Sequence, residues 1–182
     1  DSTAWGEDLG QRDGLAGLLR LLSESLPERP WLRIMYAYPG RVTPRLIETM
    51  AALPAVVHYL DMPLQPASVP VLRRMKRPSN MAMVRNTLAG LRAAMPDIAL
   101  RTSLIVGFPG ETDAEFEELK EFVREVRFDH VGVFTYSPQD GTPSATLPDQ
   151  VPAQVKRRRR RELMELQQSI AAQKLEALVG HE

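Results

Sequence analysis

Between Thr102 and Phe116 the chain reads Thr-Ser-Leu-Ile-Val-Gly-Phe-Pro-Gly-Glu-Thr-Asp-Ala-Glu-Phe, a run whose residue types could hold a ligand. Gly107 and Gly110 bracket Phe108-Pro109, so backbone can approach a ligand closely, and Pro109-Gly110 suits a turn with positive φ at its second central residue. Thr112, followed three residues later by Glu115, forms a capping box that starts a helix. The start of that helix would point unpaired N–H groups at whatever lies over the preceding strand. Taken alone, the segment reads first as a well-made βα turn and second as a ligand site.

Other residues could add to such a site. In Asp61-Met-Pro-Leu-Gln-Pro-Ala-Ser68 a carboxylate, an amide and a hydroxyl surround two stiffening prolines. Gln65 can hydrogen-bond a ribose or an amide. Asp61 and Ser68 have the alternative of capping turns and the next helix, which is the preferred reading for Ser68. In Met75-Lys76-Arg77-Pro78 two cations close a short helix, where they either hold a carboxylate or complement the helix dipole. Arg101 sits in an apolar strand and needs a partner, either an anionic head group or Asp61 or Glu111 of the same chain. Glu111 itself could order the glycine turn instead of touching ligand. Phe134 and Tyr136 alternate with Val133 and Thr135, so one pair faces the sheet interior, to stack on a flat ring or simply to pack.

His58 and His130 fall near the starts of their strands, away from these loops, and His181 falls in the terminus, which argues against a metal site. The run Lys156 to Arg161 is a basic helix surface that Glu162 and Glu165 can pair at i,i+4; contact with a polyanion is the secondary reading.

Periodicity supplies the elements that must position these residues. Leu15, Leu18, Leu19, Leu22 and Leu26 predict a helix over 13–26 that ends before Pro27. Strands are expected at Trp31 to Tyr38, Val56 to Asp61, Ile98 to Val106 and His130 to Tyr136. Helices are expected from Thr43-Pro44 to Met50, from Ser68 to Met75 and from Asn80, with Val84, Leu88, Leu91 and Met95 on one face. The helix after Thr112 buries Phe116, Leu119, Phe122, Val123 and Val126. A last helix, Pro152 to Leu178, places Leu163, Leu166, Ile170, Leu175 and Leu178 inward. Four alternations of strand and helix predict an α/β fold with a parallel sheet, too few strands for a closed barrel, and ligands at the carboxyl ends of the strands.

Composition bounds the possibilities. A length of 182 residues with 43% hydrophobic and 25% charged residues fits one globular domain, and 23 basic residues cancel 23 acidic ones, so no global field selects nucleic acid or membrane. No apolar run has the length of a membrane span, and the start lacks the features of a signal peptide; the expected compartment is the cytoplasm. The absence of cysteine excludes disulfides, thiol catalysis and thiolate-held zinc or iron–sulfur centres within these residues.

These loops in this order resemble the radical S-adenosylmethionine (SAM) methylthiotransferases, most of all the type that modifies a ribosomal protein. The resemblance rests on Asp1-Ser-Thr-Ala-Trp-Gly6, Tyr36-Ala-Tyr-Pro39, Asp61-Met-Pro-Leu-Gln65 with Ala67-Ser68, and Met75-Lys-Arg-Pro78. It extends through Leu100 to Thr112, Val131-Gly-Val-Phe-Thr-Tyr-Ser-Pro138, Leu147-Pro-Asp-Gln-Val-Pro152 and Leu166-Gln-Gln168. Trp5 stands where the family usually has Tyr, and Pro66 where that type usually has His.

The resemblance implies an open, TIM-like (β/α) partial barrel of six strands, of which residues 1–182 would supply strands three to six. The [4Fe–4S] cluster segment would precede these residues and a small β-barrel would follow them. It implies reductive cleavage of SAM to a radical that takes hydrogen from the β-carbon of an aspartate on a small-subunit ribosomal protein, with methylated sulfur then delivered there. Gln65 and Arg101 would bind the polar part of SAM, Lys76 the methionine carboxylate, and Gly107 and Glu111 would lie by the adenosine with Phe134 and Tyr136 walling the adenine. Without thiolates, these residues alone are expected to hold no cluster and to catalyse nothing.

The rival within the family modifies a tRNA adenosine. Rivals outside it are a Schiff-base aldolase using Lys76, which lacks evident desolvation, and a non-catalytic binding module. An open sheet also leaves an edge through which copies could associate.

Overall fold

The computed structural model describes residues 1–26, 30–66 and 68–180. Pro27, Ala67 and His181 lie outside the described residues. Local chemistry explains where the elements begin. Asp13 precedes α1 (Gly14–Ser25), and Thr43 opens α2 (Pro44–Ala52) by accepting the Leu46 N–H at 3.2 Å, with Pro44 at the first helical position. Strand β1 (Leu32–Ile34) precedes α2, and β2 (Val56–Asp61) follows it. Then come α3 (Val69–Arg74), α4 (Met81–Ala94), β3 (Ala99–Val106), α5 (Asp113–Val126), β4 (His130–Thr135) and α6 (Ala153–Glu176).

The strands lie in the order β1-β2-β3-β4, with β1 parallel to β2 and β2 parallel to β3. The expected alternation of parallel strands with helices is therefore present. Strand β1 is shorter than expected from Trp31 to Tyr38. The chain leaves extended geometry at Tyr36, whose φ of 58° belongs to the left-handed region, and Pro39–Arg41 forms a 3-10 turn. Aromatic and β-branched composition signalled a strand there, but it did not reveal this reversal.

The chain divides into two compact units, one made of Asp1–Pro63 and Ala82–Arg101, the other of Leu64–Met81 and the chain from Thr102 onward. Strand β3 begins in the first and ends in the second. In the first unit Leu19, Met50, Leu60, Leu91, Met95 and Leu100 are buried, with α2 packed against β2 and α1 against α2. In the second, Leu104, Val106, Phe116, Phe122, Val133 and Leu163 are buried between the strand ends and helices α5 and α6. The inward face of α6 differs from expectation beyond Ile170: Leu175 and Leu178 are 64% and 62% exposed, and the buried stripe is Arg159, Leu163, Gln167 and Ile170.

Candidate functional site

In the second unit β3 runs into the glycine turn and then α5. Gly107 and Gly110 have φ of 77° and 74°, the left-handed geometry that the Gly-Phe-Pro-Gly run requires. Both halves of the capping box form: Thr112 Oγ1 accepts from Glu115 N at 3.2 Å, and Glu115 Oε2 accepts from Thr112 N at 2.8 Å.

The turn amides are not left open for a ligand. Gly107 N donates to Glu111 Oε1 at 2.9 Å, Gly110 N to the Asp149 carbonyl at 2.9 Å, and Glu111 N to the Phe108 carbonyl at 2.9 Å. Glu111 is buried, and burial pushes its carboxyl above the usual range against the Gly107 N–H and Arg159, which favour the charged form. Glu115 shows the opposite balance. Partial burial raises its carboxyl, but hydrogen bonds from Arg74 and Thr112 outweigh this and hold it low.

Helix α6 reaches these strand ends with cations. Lys156 Nζ donates to the Tyr136 carbonyl at 3.0 Å and sits 4.9 Å from the centre of the Tyr136 ring. Its aliphatic stem covers Gly107 so closely that a Cβ there would collide with Lys156 Cγ. Burial lowers the Lys156 ammonium. Arg160 Nε donates to the Val133 carbonyl at 3.1 Å. Arg159, 3% exposed, donates to Glu111 Oε1 at 2.7 Å, to the Glu111 carbonyl at 3.0 Å and to Asp113 Oδ1 at 2.8 Å.

The basic run was expected to be a surface paired along its own helix. That holds for Arg158–Glu162 and Arg161–Glu165, whereas Arg159 is buried and Lys156 and Arg160 bond backbone carbonyls in and just after β4. The signal that could have found them is the spacing Lys156, Arg159, Leu163, Gln167, Ile170, which follows one face of a helix.

The remaining expected residues of this unit fall as follows. Tyr136 is half-buried, packs edge-on against Phe108 at 5.1 Å, and keeps a buried hydroxyl without a hydrogen-bond partner among the described residues. Phe134 is 58% exposed. Gln65 has φ of 61°, an uncommon state for a non-glycine residue, while its N–H donates to the Ser103 carbonyl at 3.1 Å. Ser68 precedes α3 as expected but makes no capping bond; its buried Oγ has no partner among the described residues.

Lys76 is exposed with φ of 53° just after α3. Lys76 N bonds the Arg73 carbonyl and Arg77 N the Leu72 carbonyl, a pairing that normally places glycine where Lys76 stands.

In the first unit Arg101 meets Asp61 across the β2–β3 register, NH1 to Oδ1 at 2.8 Å. The intrachain partner considered for Arg101 is thus Asp61, not Glu111. Asp61 is fully buried and its Oδ2 has no partner among the described residues, while the Arg101 side chain stays 34% exposed. Tyr59 lies beside this pair with Arg33 over its ring at 4.5 Å; burial and then the Asp61 charge raise its phenol. At the other end of β2, His58 Nδ1 lies 2.7 Å from Asp97 Oδ1. Among the described residues no three His, Asp or Glu side chains gather as a metal site, and no helix is long and apolar enough to cross a membrane.

The model of the Radical SAM superfamily matches residues 2–123. The chain belongs to the radical SAM superfamily. Its relatives within it are methylthiotransferases. It is 55% identical over 178 residues to the ribosomal protein uS12 methylthiotransferase RimO of Roseiflexus sp. (strain RS-1), covering 98% of this chain and 38% of that protein. It is 44% identical over 182 residues to the protein of the same name from Koribacter versatilis, covering 100% of this chain and 36% of that one. The chain thus spans well under half the length of the curated relatives it matches.

Among solved structures, the radical SAM enzyme coproporphyrinogen III oxidase (HemN) of Escherichia coli superposes with a TM-score of 0.71 at 19% identity. The match covers 88% of this chain and 37% of that one, a likeness of fold. The resemblance read from the loops is borne out at the level of both superfamily and relatives.

Proposed function

We propose that these residues are part of a radical SAM methylthiotransferase that places a methylthio group on the β-carbon of an aspartate in ribosomal protein uS12, in the cytoplasm. The observation that carries this reading is identity of 44–55% across nearly the whole chain to relatives bearing that one name. The two expected cofactors fare differently against the residues present. A cluster does not fit, because the 182 residues contain no cysteine; its thiolates would come from outside them.

SAM does fit. Its adenosine and amino-acid parts call for hydrogen-bonding and cationic groups at strand ends, and these residues offer them. Tyr136 Oη is a buried hydroxyl lacking a partner among the described residues, and Gln65 is held in a strained backbone in the loop after β2. When bound and reduced, SAM supplies the carbon radical that starts the chemistry. The chain's own task is to bind and orient. Arg101, its charge balanced by Asp61, keeps exposed N–H groups for a carboxylate, and Lys76 offers a second cation. Gly107 lets the turn stay narrow, and Phe134 and Tyr136 offer ring faces. Glu111, already engaged by Gly107 and Arg159, shapes the turn.

The test is to incubate the intact, cluster-loaded protein with reductant, SAM and uS12, and to read uS12 by tandem mass spectrometry. A methylthio group in place of one hydrogen on a single aspartate is expected. Turnover of tRNA with uS12 unmodified would overturn the substrate assignment.

A further inference from the structure

The basic run at the start of α6 ties β4 and its end to the turn that follows β3 in the second unit. Lys156 holds the Tyr136 carbonyl, Arg160 the Val133 carbonyl, and Arg159 the Glu111 side chain and carbonyl. Only the Arg159 link is buried at both ends, with side chains 4% and 2% exposed. A buried ion pair is weak evidence for stability, since replacing it by apolar groups is often neutral; what it does supply is a fixed geometry. Here the geometry has an evident recipient. The same Glu111 oxygen that meets Arg159 also receives the Gly107 N–H. The chain of contacts therefore runs from α6 through one carboxylate oxygen to the backbone of the turn.

We propose that Arg159 is a positioning residue for cofactor binding: through Glu111 it fixes the backbone conformation of the Gly107 turn beside which SAM lies. This rests on the SAM reading of the turn given above. Arg159 makes no contact with ligand in this role. It favours the charged form of Glu111 and holds it against Gly107, and Asp113, bonded to the other terminal nitrogen, keeps the guanidinium from rotating away.

The other charges around Glu111 are Glu115 on α5, Arg74 on α3, which pairs with Glu115 and lies against Gly110, and Lys156 on α6 against Gly107. Arg159 is the cation bonded to Glu111 among these. Without it, burial would drive Glu111 to take up a proton at higher pH, and a protonated oxygen facing Gly107 no longer accepts in the same way.

The test uses the intact, cluster-loaded protein with SAM itself as the probe, in equilibrium dialysis across neutral and alkaline pH, alongside thermal unfolding. Arg159→Met should bind SAM roughly tenfold more weakly than the native protein. Its affinity should vary with pH over a range where the native affinity is flat. Adding Glu111→Gln, whose amide oxygen still accepts from Gly107, should remove the new pH dependence. Arg159→Lys should fall between, because one ammonium cannot reproduce the fork that serves Glu111 and Asp113 together; this variant decides the matter if Arg159→Met does not fold.

Native affinity and pH profile in a folded Arg159→Met or Arg159→Lys protein, with only the melting temperature lowered, would overturn the positioning role and leave the SAM reading standing. Failure of the native protein to bind SAM would remove that reading and the proposal together.

Discussion

Two residues of the proposed site, a lysine and a glycine, occupy left-handed backbone, and substitution reads the strain at each. Lys76 stands where glycine would relieve left-handed strain, so Lys76→Gly should raise stability by about 0.5–1 kcal/mol, measured by urea unfolding. If Lys76 also meets the SAM carboxylate, the same variant should bind SAM more weakly despite being more stable. Gly107 presents the reverse case. Gly107→Ala adds a Cβ against the stem of Lys156 at positive φ and should destabilise by about 2 kcal/mol or more in the same assay.

Protons report on the turn as well. Glu115 is held below its unfolded value, so its stabilising contribution is present above that value and is lost as pH falls through the folded one. Glu115→Gln should therefore destabilise more at neutral than at acidic pH, as chemical unfolding at a series of pH values will read. Glu111 contributes with the opposite sign. Its raised value favours the folded state at low pH, and that share is lost as pH rises through the folded value.

At the scale of elements, what could be read in advance follows from how local each signal is. The start of α5 was legible to the residue, because a capping box involves only Thr112 and Glu115, and Thr112→Ala should cost about 1 kcal/mol. The limits of β2 were equally plain from Val56 to Asp61. The shortness of β1 was not, because the reversal at Tyr36 leaves no mark in an aromatic, apolar run.

Helix α6 was legible as a helix but only in part as a surface. Leucine spacing suggested that its apolar face continues to Leu178, yet the last turns leave Leu175 and Leu178 exposed and the first turns bury Arg159. Charge was read as exposure, although a guanidinium with carboxylate and carbonyl partners can be buried. Unfolding measurements should show the contrast: Leu163→Ala costs about 2–5 kcal/mol, whereas Leu178→Ser falls within about 0.5 kcal/mol of native.

At the scale of the whole molecule, the proposed function gives the residues present a binding role only, since no thiolate exists among them to hold a cluster. The family was legible because its motifs sit in loops at strand ends, where a site demands particular residues in order. The contact of Arg101 with Asp61 was legible only as one of three choices, beside Glu111 and an anionic ligand, because it depends on strand register, which the separate motifs do not specify.

The proposed methylthiolation of ribosomal protein uS12 by the intact protein is measured most directly in cells that lose the gene. Mass spectrometry of uS12 and of digested tRNA from deleted and restored cells separates the two substrates. The account predicts that one aspartate of uS12 loses its methylthio group on deletion and regains it on restoration, with tRNA unchanged. Unmodified tRNA adenosine together with fully modified uS12 in the deleted cells would contradict it.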